Sequence, residues 1–163
     1  MLSISYDPIK DLQNWLRIKE KHPETFRLTE FYPFAVSREL NQDNLEKIAA
    51  TISPDKLKEF DEQALKILAQ WPVIKSKVIS DISRHLNMPV PEFDLAVNLT
   101  TAYYMPYDFQ HKWFMIPTHK NLDGQMKCFI HELFHLCDIY KNGDLPYEEK
   151  ERRVEKFLIE YKY

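Results

Sequence analysis

Histidine, glutamate and histidine occupy positions 131, 132 and 135, within the run Phe129-Ile130-His131-Glu132-Leu133-Phe134-His135. On a helix, residues four apart project from one face a turn apart, so His131 and His135 can clasp a single metal ion. Glu132 is rotated one position round the same helix. That offset keeps its carboxylate off the metal yet near enough to take a proton from a metal-activated water, which is the equipment of metal-assisted hydrolysis. At the chain's own residue frequencies the pattern arises by chance with an expectation of about 0.02. The flanking Phe129, Ile130, Leu133, Phe134 and Leu136 are uncharged, as suits a helix that supports a core and a metal together. Burying two rings and a carboxylate there without partners is costly. A shared cation, with Zn²⁺ the expected ion, removes the conflict.

These residues resemble the zincin superfamily of metallopeptidases, whose branches differ in the third ligand. The metzincin pattern, a glycine and a further His or Asp soon after the second histidine, is absent, because Ile139-Tyr140-Lys141 occupies that stretch. Further on, Glu151-Arg152-Arg153-Val154-Glu155-Lys156-Phe157 is similar to the E-x-E-A-D/N-x-F-A segment of the gluzincin branch, in its ImmA/IrrE-type and minigluzincin members. Val154 replaces the usual alanine, and Glu155 the usual Asp or Asn. The resemblance implies a zinc metallopeptidase acting on a peptide or protein substrate. It implies Glu132 as general base and acid, with His131, His135 and Glu151 as metal ligands. Glu155 would orient the first histidine through its other ring nitrogen. Glu155 is also the alternative third ligand, since it follows His135 by the interval found in the thermolysin family. The hairpin expected before the active helix would bind an extended substrate by strand addition. The likeness covers about residues 93–163 and is silent over the first 90 or so.

Other polar residues are less specific. Asp138 stands one turn beyond His135 on the same helix face, placed to orient a histidine or a loop. His22, His85, His111 and His119 have no partner spacing and read as surface or structural residues. Peptide hydrolysis needs a donor for the developing oxyanion. Spacing does not choose among His111, His119, Tyr140, Tyr147 and Tyr161.

The elements that must carry these residues read as α+β. Asp7-Pro8 caps a first helix with Ile9, Leu12 and Leu16 on its apolar face, stopped at His22-Pro23. Phe26 to Val36 reads as extended or irregular chain. A helix near Asn44–Thr51 precedes Ser53-Pro54, a second cap-plus-proline start. From there Leu57, Phe60, Ala64, Leu65 and Leu68 lead to Trp71. Pro72 is expected to begin a separate helix with Val73, Ile74, Val78, Ile79, Ile82 and Leu86 inward, ending at Asn87-Met88-Pro89. Then Phe93, Leu95, Val97 and Leu99 alternate with Asp94, Ala96, Asn98 and Thr100, a strand. Met105–Asp108 supplies a turn, and Lys112–Ile116 a second strand that closes a hairpin. The active helix starts at Asn121 or Asp123 and ends at Asn142-Gly143. A last helix after Pro146 buries Val154, Phe157, Leu158 and Tyr161 and brings in the glutamate. The expectation is one zincin-like domain over 1–163, with a mainly helical 1–92 and the sheet and metal-binding helices in 93–163.

Composition sets the bounds. The chain has 163 residues, 44% hydrophobic and 29% charged, with a formal charge of −3 and no basic run. Those values describe a folded domain and argue against a nucleic-acid surface. No apolar run approaches the roughly 20 residues that span a bilayer, and no signal peptide is visible. Cys128 and Cys137 share a helix at a spacing that prevents their pairing. Free thiols and no export signal point to the cytoplasm. Two rival readings stay open: a non-catalytic or latent zinc-binding regulatory module, and a helical interaction domain without metal.

Overall fold

Leu2, Ile4 and Tyr6 alternate with Ser3 and Ser5, and the chain begins with a strand, β1 (Leu2–Tyr6), that sends Ile4 and Tyr6 into the core. Sequence reading had no element there. In the computed structural model, residues 1–23 and 40–163 are described. The extended stretch expected at 26–36 lies outside them. Asp7 then ends the strand and starts α1 (Pro8–Lys21), its carboxylate accepting from the N–H groups of Ile9 and Lys10. A 3-10 turn (Gln42–Asn44) leads into the short α2 (Leu45–Ala49), within the region expected to be helical. Helix α3 (Pro54–Leu86) starts at Ser53, as its cap and proline indicate, and ends at Asn87 in the left-handed region (φ 50°).

The break expected at Pro72 does not occur: α3 is one helix of 33 residues. Proline inside a helix costs about 3 kcal/mol. That cost is offset because Phe60, Ala64 and Ile67 before it, and Val78, Ile82 and Leu86 after it, are all buried. Each large apolar side chain so buried contributes about 1.5–3 kcal/mol. Leu65 and Val73, assigned to the apolar face from spacing, are instead exposed at 65% and 75%.

The sheet departs from the expected hairpin. Strands β2 (Leu95–Thr100), β3 (Tyr107–Asp108) and β4 (Trp113–Pro117) join β1 in the order β1-β2-β4-β3. Strands β2 and β4 are parallel, with Val97 opposite Phe114, and β1 is parallel to β2 on its other side. The antiparallel partner of β4 is β3, with Tyr107 opposite Phe114. The tight end of that hairpin is at Lys112, φ 55°. Residues 101–112 therefore form a crossover, as parallel neighbours require. The cause is burial on both faces. Asn98 and Thr100 on one face of β2 bond Lys10 and Asn14 of α1, while Leu95, Val97 and Leu99 on the other join the main core.

Helix α4 (Leu122–Asn142) begins at Asn121, whose side chain accepts from Gly124 N–H, and ends at Gly143 with φ 76°. Phe129 of α4 packs edge-on to Phe114 of β4, centroids 5.4 Å apart. Helix α5 (Tyr147–Glu160) follows Pro146 and buries Val154 and Phe157. Phe157 stacks on Phe134 at 4.6 Å, fixing α5 against α4. Leu158 and Tyr161 are only partly buried. The result is an α+β structure in which one core cluster runs from Ile4 to Phe157. Cys128 and Cys137 are both buried and free. Among the described residues, no helix is long and apolar enough to cross a membrane.

Candidate metal centre

Helix α4 places the His131 and His135 rings together as the four-residue spacing requires, with their Nε2 atoms 3.0 Å apart. Helix α5 brings Glu151 to both: Oε1 lies 3.2 Å from His135 Nε2, and Oε2 lies 3.5 Å from His131 Nε2. Ligands bound at about 2.1 Å to one tetrahedral ion stand about 3.4 Å from one another. The three observed separations bracket that value. Among the described residues, this is the His, Cys, Asp and Glu group whose ligand atoms converge on a site for a metal ion. Glu155, the alternative ligand by spacing, is exposed and outside the group. Its contact with the centre is electrostatic, through Glu151.

The donor chemistry fits a cation. Burial lowers the His131 pKa. Burial, with the His131 ring and Lys150 adding to it, takes His135 down to about 3. Both rings are therefore neutral at physiological pH, the form that binds metal. Glu132 is 3% exposed, and burial followed by the neighbouring Glu151 pushes its pKa well up. Its Oε1 lies 3.8 Å from His131 Nε2, beyond hydrogen-bond range. Its Oε2 is buried and accepts no hydrogen bond among the described residues. A buried oxygen left without a donor costs about 1–3 kcal/mol.

The surroundings reassign several residues. Asp138 does not orient a histidine. It is 2% exposed and takes both arms of the Arg153 guanidinium, at 2.8 Å to Nε and 2.6 Å to Nη2, so it ties α4 to α5 two residues from Glu151. His135 Nδ1 is buried and has no hydrogen-bond partner among the described residues. The flat side of that ring is held by Tyr107 of β3, which sequence reading did not single out. Its hydroxyl accepts from Lys150 Nζ of α5 at 2.7 Å. A cavity of about 400 Å³ opens onto His131, Glu132, His135 and Glu151, and Tyr147 also lines it. Tyr147 alone of the five oxyanion candidates does so. His111 pairs with Asp108, His119 packs on Tyr103, Tyr140 packs on Phe93 and Tyr161 packs on Phe157. Arg17, Tyr103 and Tyr104 line the cavity as well. They come from α1 and the β2–β3 crossover, and no spacing in the sequence links them to the histidines.

Comparison with protein-family models, with curated proteins and with solved structures found no match. The chemistry of the centre is therefore argued from its own geometry.

Proposed function

We propose that this chain is a zinc-dependent peptide hydrolase of the gluzincin kind. The observation that carries the reading is the convergence of His131, His135 and Glu151 beside a buried Glu132 oxygen that has no hydrogen-bond partner among the described residues. Those three side chains would hold the zinc, which would supply Lewis acidity toward a peptide carbonyl and a water. The two rings are neutral and lose no proton on binding it, and Glu151 brings the compensating negative charge. Glu132 takes the proton of the attacking water and passes it to the leaving amine. Tyr147, in the same cavity, is the assigned donor to the oxyanion.

The test begins with tag-free protein and elemental analysis. One zinc per chain is expected, lost in His131→Ala and in His135→Ala. Glu132→Gln should keep the zinc and lose hydrolysis across a diverse peptide library. Turnover retained in Glu132→Gln would overturn the mechanism, and failure to take up zinc would overturn the centre. Stoichiometric zinc with no cleavage of any peptide by the wild-type protein would identify a latent or regulatory zinc module instead.

A further inference from the structure

Arg17 of α1 is a partly buried guanidinium with no carboxylate partner among the described residues. Its Nη2 donates to Asn14 Oδ1 at 2.9 Å, and its Cζ lies 4.8 Å from the centre of the Tyr104 ring. Both supports are themselves fixed. Asn14 is 3% exposed, and its Nδ2 donates to Thr100 Oγ1 at 3.0 Å and to the Tyr104 carbonyl at 2.9 Å. The contrast with Arg153 is direct: hydrogen bonding to Asp138 raises the pKa of Arg153, whereas burial lowers that of Arg17. Charged groups removed from water are ordinarily paired, because an unpaired one is costly. Here the fork is held in place by Asn14 and the Tyr104 ring, with no carboxylate facing it among the described residues.

Its position says where that ligand binds. Arg17 lines the cavity of the metal centre and also a second cavity of about 510 Å³ between α1 and the sheet. Pro106 and Tyr107 form the wall common to both. The second cavity carries another cation, Lys10, whose Nζ donates to Asn98 Oδ1 at 3.4 Å and faces no carboxylate among the described residues. The one acidic residue on its lining, Asp108, is already engaged by His111 through ring and backbone nitrogens at 2.8 and 2.9 Å.

We propose that Arg17 is the anion-recognition residue of this site, and that the substrate presents a carboxylate beside the bond to be cut. The inference rests on the metal-hydrolase reading for its substrate, though not for the binding itself. A guanidinium receives a carboxylate through two parallel N–H···O bonds, an arrangement that fixes orientation as well as position. The carboxylate is either the peptide's own C-terminus or an Asp or Glu side chain near the scissile bond.

Zinc-loaded Glu132→Gln protein allows binding to be measured without turnover. The probes are hexapeptides with Glu or Gln scanned through each position, each with a free and an amidated C-terminus, titrated by calorimetry. Peptides with the required carboxylate should bind roughly ten- to hundredfold more tightly than their amide counterparts. Preference for a free C-terminus identifies one source, and preference for Glu at a fixed position identifies the other. The preference should vanish when Arg17→Met is added, with zinc content unchanged. Arg17→Gln, which keeps an N–H for Asn14, should lose it too and covers the case in which the Met variant does not fold. Equal affinity for anionic and amidated peptides, or a preference that survives Arg17→Gln, would overturn the assignment. Arg17-dependent binding by a wild-type protein that cleaves nothing would remove the hydrolase reading and leave this one standing.

Discussion

The Tyr107 ring is stacked on the His135 ring, 5.5 Å between centroids and 20° from parallel. The second histidine is thus held by its face, from β3, while its Nδ1 has no hydrogen-bond partner among the described residues. Metal-bound histidines are more often held through that second nitrogen by a carboxylate or a carbonyl. In this chain the aromatic wall takes over the orienting role, and the Lys150–Tyr107 hydrogen bond fastens the wall to the helix that carries Glu151.

Removing the stack should therefore loosen the metal. Tyr107→Leu is expected to weaken zinc binding about tenfold, as removal of an outer partner does elsewhere. Tyr107→Phe keeps the ring and should stay close to wild type. Competition against a chromophoric chelator measures the affinity, and the visible spectrum of the cobalt-substituted protein should shift in the Leu variant alone. Equal affinities and spectra in all three would show that Tyr107 does not orient His135.

The Asp138–Arg153 pair should respond asymmetrically. Arg153→Met leaves a carboxylate that is 2% exposed with only Asn142, at 2.7 Å, for company, and breaking a buried pair in that way costs about 3–5 kcal/mol. In Asp138→Asn the stranded group is Arg153, whose side chain is 30% exposed and reaches water. The expected cost is then smaller, about 1–2 kcal/mol. Urea unfolding distinguishes them, and zinc affinity should fall in the same order because Glu151 rides on the helix that the pair secures. Equal costs would mean that the pair does not act through burial.

The ligand-bearing helices were legible because their chemistry is local. A four-residue spacing, an Asn cap and a terminal glycine are sequential facts; they left the start of α4 between Asn121 and Asp123, where Asn121 proves to be the cap, and marked its end at Asn142-Gly143. Glu151 was reachable because its segment lies shortly after the histidines, on an element with its own proline start. Strand pairing was not legible in this way. The alternation at 95–99 revealed a strand but not its pairing: β4 lies beside β2 in parallel rather than as a hairpin, and the distant β1 takes the other edge of β2. The Leu2-Ser3-Ile4-Ser5-Tyr6 alternation was a usable signal for β1, though a short one. Arg17 and Tyr107 carried no signal, since only the crossover brings residues 17, 104 and 107 to the histidines.

Continuity of α3 through Pro72 implies that the proline costs stability. Pro72→Ala restores an N–H for the carbonyl one turn back and removes the ring's clash. Loss of proline's restraint on the unfolded chain offsets only about 0.4–1 kcal/mol of that gain. A net stabilisation of about 1–3 kcal/mol is expected by urea or thermal unfolding. A less stable variant would show that the path of α3, and with it the packing of Trp71 on Phe129 at 4.8 Å, depends on the ring.

Asp11 provides a pH dependence away from the metal. Its carboxyl is fully buried and accepts from Tyr6 Oη at 2.9 Å, Thr100 Oγ1 at 2.6 Å, Thr101 N at 2.9 Å and Thr101 Oγ1 at 2.7 Å. Burial outweighs these bonds and raises its pKa above the ordinary 3.8. The folded protein then holds the proton more tightly than the unfolded chain does. The stability this contributes is complete below the ordinary value and is lost as pH rises through the folded-state pKa. Asp11→Asn keeps the shape without titrating, so the other ionisable groups largely cancel between the two proteins. In urea unfolding from about pH 3 to about pH 7, the stability of wild type relative to Asp11→Asn should decline as pH rises. A difference that is flat or grows with pH would mean that the four hydrogen bonds stabilise the carboxylate more than burial destabilises it. The same bonds fix Thr100 and Thr101 at the start of the crossover that carries Tyr103 and Tyr104 to the metal cavity.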